Sequence, residues 1–92
     1  MINTVILKKS AENDLLKVPK HIAENFRTWV RIVKLEGLDE AKKIKGYHDE
    51  PLKGIRSGQR SIRLSKTYRA IYSIKDGLIK IVVVQEVNKH DY

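Results

Sequence analysis

Residues 52–72 read LKGIRSGQRSIRLSKTYRAIY, and their alternation decides the architecture. Over residues 59–64, Gln59, Ser61 and Arg63 point one way while Ile62 and Leu64 point the other, the period of a strand. Ser65, Lys66 and Thr67 make a hairpin connection. In the next run, 68–74, one face takes Tyr68, Ala70, Tyr72 and Ile74 and the other takes Arg69, Ile71 and Ser73. Asp76-Gly77 is a turn signal, and it opens the longest strand, 78–87. Ile81 to Val84 are apolar on both faces, as a central strand requires. The C-terminal half is therefore predicted to be a three-stranded antiparallel meander.

The same stretch is basic. Between Glu50 and Asp76 there is no acidic residue, yet Lys53, Arg56, Arg60, Arg63, Lys66, Arg69 and Lys75 all fall there. A surface that serves only solubility mixes its signs, so this run argues for a polyanion seat fixed on strands. The chain as a whole carries Lys+Arg 19 against Asp+Glu 11, a net charge of +8.

Upstream of the meander, residues 2–7 form a short β-branched run that reads as a strand. Ser10 is placed to N-cap a first helix, with Glu12 and Asp14 in its first turn and Ala11, Leu15 and Leu16 as its apolar stripe. Pro19 ends that helix or opens the next. From 20 to 36, Ile22, Phe26, Trp29, Val30 and Val33 recur at helical spacing, which assigns Trp29 to the core and not to a base-stacking platform. Gly37 closes the helix, and residues 38–44 add one or two further turns. Residues 46–58, with three glycines and Pro51, read as a loop. The expected fold is α+β: one domain over residues 1–92, an N-terminal strand beside the long strand, and two helices before the meander. The helices cover one face of the sheet, leaving the other basic.

Ninety-two residues with 41% hydrophobic and 33% charged content suit one globular domain and not a disordered chain. There is no cysteine, hence neither disulfide nor thiolate zinc site. Neither a signal peptide nor a membrane span is legible, and a cytoplasmic protein without membrane contact is expected. No P-loop, GxGxxG or GxSxG motif occurs, and the histidines share no ligand spacing, so no metal or cofactor is expected.

RNA cleavage without a metal needs a base for the 2′-hydroxyl proton, cations at the phosphate and an acid for the departing 5′-oxygen. The sequence offers cations in plenty. For the proton carriers, His90 with Asp91 and Tyr92 lies just beyond the long strand, His48 lies in the loop beside Asp49 and Glu50, and His21 reads as an inert helix residue.

Leu52-Lys53-Gly54, Arg56, Gly58, Ser61-Ile62, Tyr68-Arg69 and Tyr72 together resemble the RelE/ParE toxin superfamily, and within it the HigB-like (killer) branch. The likeness runs without gaps across 52–72, and the element order extends it over nearly the whole chain. It implies a type II toxin that cleaves mRNA at the ribosome, silenced by a cognate, DNA-binding antitoxin through which the complex would bind operator DNA. Arg69 matches an arginine that relatives use at the scissile phosphate, and Arg63 falls near a second cationic position. Where HigB-like members carry a histidine before Pro-Leu-Lys-Gly, Glu50 stands here, with His48 two residues earlier. Members tend to end in Asp-Tyr-His; here His90 precedes Asp91-Tyr92.

The leading expectation is thus a ribosome-dependent mRNA endonuclease. Its proton carriers and phosphate arginine would be His90, Asp91, Tyr92, Arg69 and His48; Lys53, Arg56, Arg60, Arg63 and Lys66 would hold RNA. The alternatives are a ParE-like inhibitor of DNA gyrase and a non-catalytic RNA-binding module. An acidic antitoxin segment is expected over the cationic face, with an apolar rim at Tyr68 and Tyr72 adding affinity.

Overall fold

The computed structural model describes residues 1–86. The chain runs β1 (Thr4–Leu7), α1 (Lys9–Lys17), α2 (Lys20–Glu36), α3 (Leu38–Lys42), β2 (Glu50–Pro51), β3 (Gln59–Arg63), β4 (Tyr68–Lys75) and β5 (Leu78–Glu86). The strands form one sheet in the order β1-β5-β4-β3-β2, with β1 parallel to β5 and the meander antiparallel. The expected α+β architecture is therefore present, with strand one beside the long strand. It is enlarged by one edge strand.

That extra strand, β2, comes from the segment read as a loop. It is two residues long, Glu50 opposite Ser61 and Pro51 opposite Arg60. Glycines and a proline mask so short a pairing in the sequence, but an edge strand tolerates proline because one side of it needs no ladder donor. The same loop also holds two 3₁₀ turns, Lys45–Tyr47 and Gly54–Arg56.

Helix α1 begins differently from the expectation. Lys8 is still extended, and its N–H continues the ladder to Ile81 O at 2.9 Å, so the helix starts at Lys9 with no side-chain cap. Ser10 lies inside the helix and its hydroxyl donates to Val82 O at 3.2 Å. Asp14 lies past the first turn, and its carboxylate accepts from Val84 N at 3.0 Å. Both residues thus take over the flank of β5 where β1 stops, satisfying backbone groups that would otherwise lack partners. Val18, extended ahead of Pro19, ends α1, and Pro19 opens α2.

Ile22, Phe26, Trp29 and Val33 of α2 pack with Leu38 and Ala41 of α3 onto Ile62, Ala70, Tyr72, Ile79, Ile81 and Val84 of the sheet. Trp29 is wholly buried, as its place in the stripe predicts. Its ring lies 6.3 Å from Phe26 and 5.5 Å from Tyr72, within the range of favourable aromatic contact. Gly37 turns the chain at φ 89°, where a Cβ would stand 2.7 Å from Met1 Sδ.

One irregularity sets the register of the long strand. Ile71 pairs with Val83 but Tyr72 pairs with Ile81, leaving Val82 as an extra residue. Without that bulge the alternation from Ile79 and Ile81 would turn Val83 to the helices. With it, Val84 takes the core position. The apolar run from Ile81 to Val84 is what permits the shift.

Candidate active site on the face away from the helices

The alternation of β3 and β4 sorts the basic residues between two sides. Ile62, Ala70 and Tyr72 face the helices, so Ser61, Arg63, Arg69 and Ile71 face away. This second face is partly closed: Ser61 is fully buried and Ile71 nearly so. Arg63 and Arg69 stand directly opposite one another across the ladder. Like charges in that position repel, and the pairing is unfavourable unless an anion lies nearby.

Glu50 supplies one. Arg69 Nη1 donates to Glu50 Oε1 at 3.1 Å and to Ser61 Oγ at 2.9 Å. The other carboxylate oxygen of Glu50 lies 3.2 Å from His48 Nε2, an ion pair whenever the imidazole is protonated. His48, Glu50, Arg69 and Ser61 thus form a continuous chain of polar contacts. Its Arg69 end is well covered, at 12% side-chain exposure, while His48 and Glu50 remain open at 55% and 42%. Arg63 Nε is buried with no hydrogen-bond partner among the described residues. Two guanidinium groups facing each other across one ladder make a cationic pair whose charge suits a phosphate.

The sequence singles out His48, Arg63 and Arg69 as site candidates, whereas Glu50 and Ser61 enter it only through the resemblance and with no role assigned. The signal for both was present. Ser61 shares the face of Arg63 by period, and Glu50 is the last carboxylate before the acid-free stretch.

Arg60 has a different place. It pairs across the ladder with Tyr72, on the helix side, and its Nε donates to Asp49 Oδ1 at 2.6 Å. Tyr72 donates its hydroxyl to the other oxygen, Asp49 Oδ2, also at 2.6 Å. The Asp49 side chain is 0% exposed and that of Arg60 26%. Burial pulls the Arg60 pKa down, but the hydrogen bond and charge of Asp49 more than offset it, and the net direction is up. Burial, and next the bond to Asp49, push the Tyr72 hydroxyl well above its ordinary value. Arg60 is thereby engaged beneath the sheet and not beside Arg69. Tyr72 is fully buried and offers no apolar rim to a partner; Tyr68 is half-buried.

The remaining cations lie in the segments before and after β3. Arg56 donates to Gln59 Oε1 at 3.1 Å, Lys53 is exposed at the entry to a 3₁₀ turn, and Lys66 is exposed in the β3–β4 connection. Ser65 Oγ holds that connection by accepting from the N–H groups of Thr67 and Tyr68. His90, Asp91 and Tyr92 lie outside the described residues. Among the described residues no group of three or more His, Cys, Asp or Glu side chains is placed to hold a metal ion. No helix among them is long and apolar enough to cross a membrane.

A separate groove of about 410 Å³ lies on the helix side. Its apolar lining is Leu7, Leu15, Phe26 and Val30, and Arg27, Arg31 and Lys34 of α2 supply its charge.

Comparison with solved structures finds the same fold in known toxins. YafQ from E. coli strain BL21(DE3) superposes with a TM-score of 0.74 at 15% identity, covering 91% of this chain and 92% of that one. The archaeal RelE–RelB complex from Pyrococcus horikoshii OT3 gives 0.73 at 24% identity, over 97% and 99%. The toxin–antitoxin complex RelBE2 from Mycobacterium tuberculosis gives 0.60 at 25% identity, over 94% and 99%. Comparison with curated protein sequences gives no match. The sequence profile of the ParE toxin of the type II toxin–antitoxin system parDE matches residues 5–90, nearly the full chain. A profile match over nearly the full chain, on a fold these toxins share, shows that the chain belongs to the ParE toxin family, within the RelE/ParE superfamily of type II toxin–antitoxin toxins.

Proposed function

We propose that this toxin is an endoribonuclease that cleaves mRNA on the ribosome by attack of the 2′-hydroxyl on the adjacent phosphate. The observation that carries the reading is the facing pair Arg63 and Arg69 with the His48–Glu50 pair against Arg69. Two guanidinium groups on neighbouring strands suit the extra negative charge of a pentacoordinate phosphorane, and a fixed sheet holds them ready for it. The His48–Glu50 pair takes the 2′-hydroxyl proton as O2′ bonds to phosphorus. The P–O5′ bond then breaks, and the departing O5′ takes up a proton, leaving a 2′,3′-cyclic phosphate and a 5′-hydroxyl. On sequence grounds that proton comes from the chain end, His90, Asp91 or Tyr92. DNA lacks the attacking hydroxyl and is not a substrate for this route. Lys53, Arg56 and Lys66 draw the RNA backbone onto the face.

Its partner is a cognate antitoxin, as in the RelE–RelB and RelBE2 complexes. The helix-side groove fits an amphipathic acidic helix from that partner, apolar residues on Leu7, Leu15, Phe26 and Val30 and carboxylates toward Arg27, Arg31 and Lys34.

Expression of the full chain, with primer extension across cellular transcripts, tests the reading. Discrete mRNA cuts are expected for the wild type and none for a folded Arg69→Ala variant. Intact transcripts together with DNA damage would overturn it in favour of gyrase inhibition.

A further inference from the structure

We propose that Asp49 is the positioning residue of this site: its buried carboxylate clamps the turn that carries His48 and Glu50, and so sets where both stand against Arg69. The inference rests on reading His48, Glu50 and Arg69 as the reacting groups.

The turn needs a clamp. His48 sits at φ 44°, ψ 54°, a left-handed conformation that a side chain with a Cβ rarely adopts. The strand that follows, β2, pairs through only two residues. Left to these elements alone, Glu50 would wander over the distance that separates a working geometry from an idle one; a misplacement of about 1 Å costs on the order of 100-fold in rate.

Asp49 supplies the restraint. It is the one residue between His48 and Glu50, and it points the opposite way, into the protein. Both its oxygens are engaged, one by Arg60 Nε and one by the Tyr72 hydroxyl, each at 2.6 Å. Arg60 is the chain neighbour of Ser61, and Tyr72 lies on the strand that carries Arg69. The strands that present the outer pair therefore also hold the inner one. Tyr72 in turn is fixed against Trp29, 5.5 Å away, in the core. For the turn to shift, a carboxylate with no exposed surface would have to leave both partners, which a protein interior strongly resists. His48 and Glu50 flank Asp49 and meet each other away from it, Nε2 to Oε2 at 3.2 Å, so holding Asp49 below the sheet limits where both can stand.

The test compares the full wild-type chain with Asp49→Asn, which keeps size and removes charge, and with Tyr72→Phe, which keeps the core ring and removes one anchor. The readouts are the NMR signals of the His48 imidazole and the Arg69 guanidinium, and the kinetics of RNA cleavage. In folded Asp49→Asn both sets of signals move, and kcat falls at least about tenfold while KM stays within about twofold. Tyr72→Phe gives a smaller change in the same direction, and it decides the matter should Asp49→Asn not fold. Wild-type His48 and Arg69 signals in a folded variant would overturn the proposal. Shifted signals, with a wild-type protein that cuts no RNA, uphold the clamp and sink the endonuclease reading instead.

Discussion

Asp49 and Glu50 are adjacent carboxylates, each bonded to an arginine of the meander, and yet they belong to opposite worlds. Asp49 faces the helices, is 0% exposed, and holds Arg60 and Tyr72. Glu50 faces away, is 42% exposed, and holds Arg69 and His48. The same chemistry, on neighbouring residues that point to opposite sides of the sheet, is shut into the protein on one side and reached by solvent on the other. The difference is solvent. A pair shut away from water is costly to break because the surviving charge has nowhere to go. Where the carboxylate itself is open to water, as Glu50 is, its contact with arginine can give way to another anion without stranding a buried charge.

The largest expected effect tests the inner side. Asp49→Ala strands Arg60 and the Tyr72 hydroxyl, and should lower unfolding free energy by about 3 kcal/mol, at the low end for a broken buried pair because Arg60 keeps some water contact. Urea titration measures it; a loss below about 1 kcal/mol would mean that the two carboxylates are not different in kind. On the outer side the order of effects reverses. Arg69→Ala should reduce RNA cleavage by about 100-fold, the cost of losing one charge-stabilising group, while unfolding free energy falls by less than in Asp49→Ala, because the carboxylate left behind is open to water. A large stability loss with cleavage retained would place Arg69 with the structural residues.

Next in size is a dependence on alkaline pH confined to the inner side. The Tyr72 hydroxyl is raised above its ordinary 10.0 by burial and then by Asp49. Above about pH 10 the unfolded chain sheds its tyrosine proton while the native state keeps it, so native stability falls as pH rises. Tyr72→Phe starts about 1–2 kcal/mol less stable, having lost a hydrogen bond to a carboxylate, but it lacks this share of the alkaline decline. Urea midpoints followed from neutral pH to about pH 11 distinguish the two. Parallel curves for both proteins would remove Tyr72 from the clamp.

Much of this division was legible in the sequence, and the failures have physical causes. Period two in residues 59–64 and 68–74 gave the meander and put Arg63 and Arg69 on one face, because strand alternation is fixed by covalent geometry. The helical stripe gave Trp29 its core place. Arg60 was counted among the RNA-binding cations even though its neighbours Ser61 and Ile62 already implied the other face for it. Charge density outweighed period there, and only the position of Asp49 in space shows that this cation has a counterion. Glu50 stands at the family's histidine position yet receives no role from the sequence, because β2 is a contact between segments nine or more residues apart, and two residues carry no period of their own. Ser10 misled because capping propensity is a local preference, and the ladder from Lys8 to Ile81 overrode it.

The smallest effect compares two cations that the sequence treated alike. Lys66 is exposed in the β3–β4 connection. If it contacts one phosphate, Lys66→Ala lowers the steepness of log K against log salt for single-stranded RNA by about 0.7, with stability unchanged. Arg60 is already neutralised by Asp49 beneath the sheet, so few counterions are released when RNA binds over the other face. Arg60→Ala should therefore leave the salt slope as it is and lower stability instead, since it strands the buried Asp49 carboxylate. Binding titrations at several salt concentrations, run beside urea unfolding, place each cation on one axis or the other. Equal slope changes for the two variants would put Arg60 on the RNA path and erase the boundary that the sheet draws between its faces.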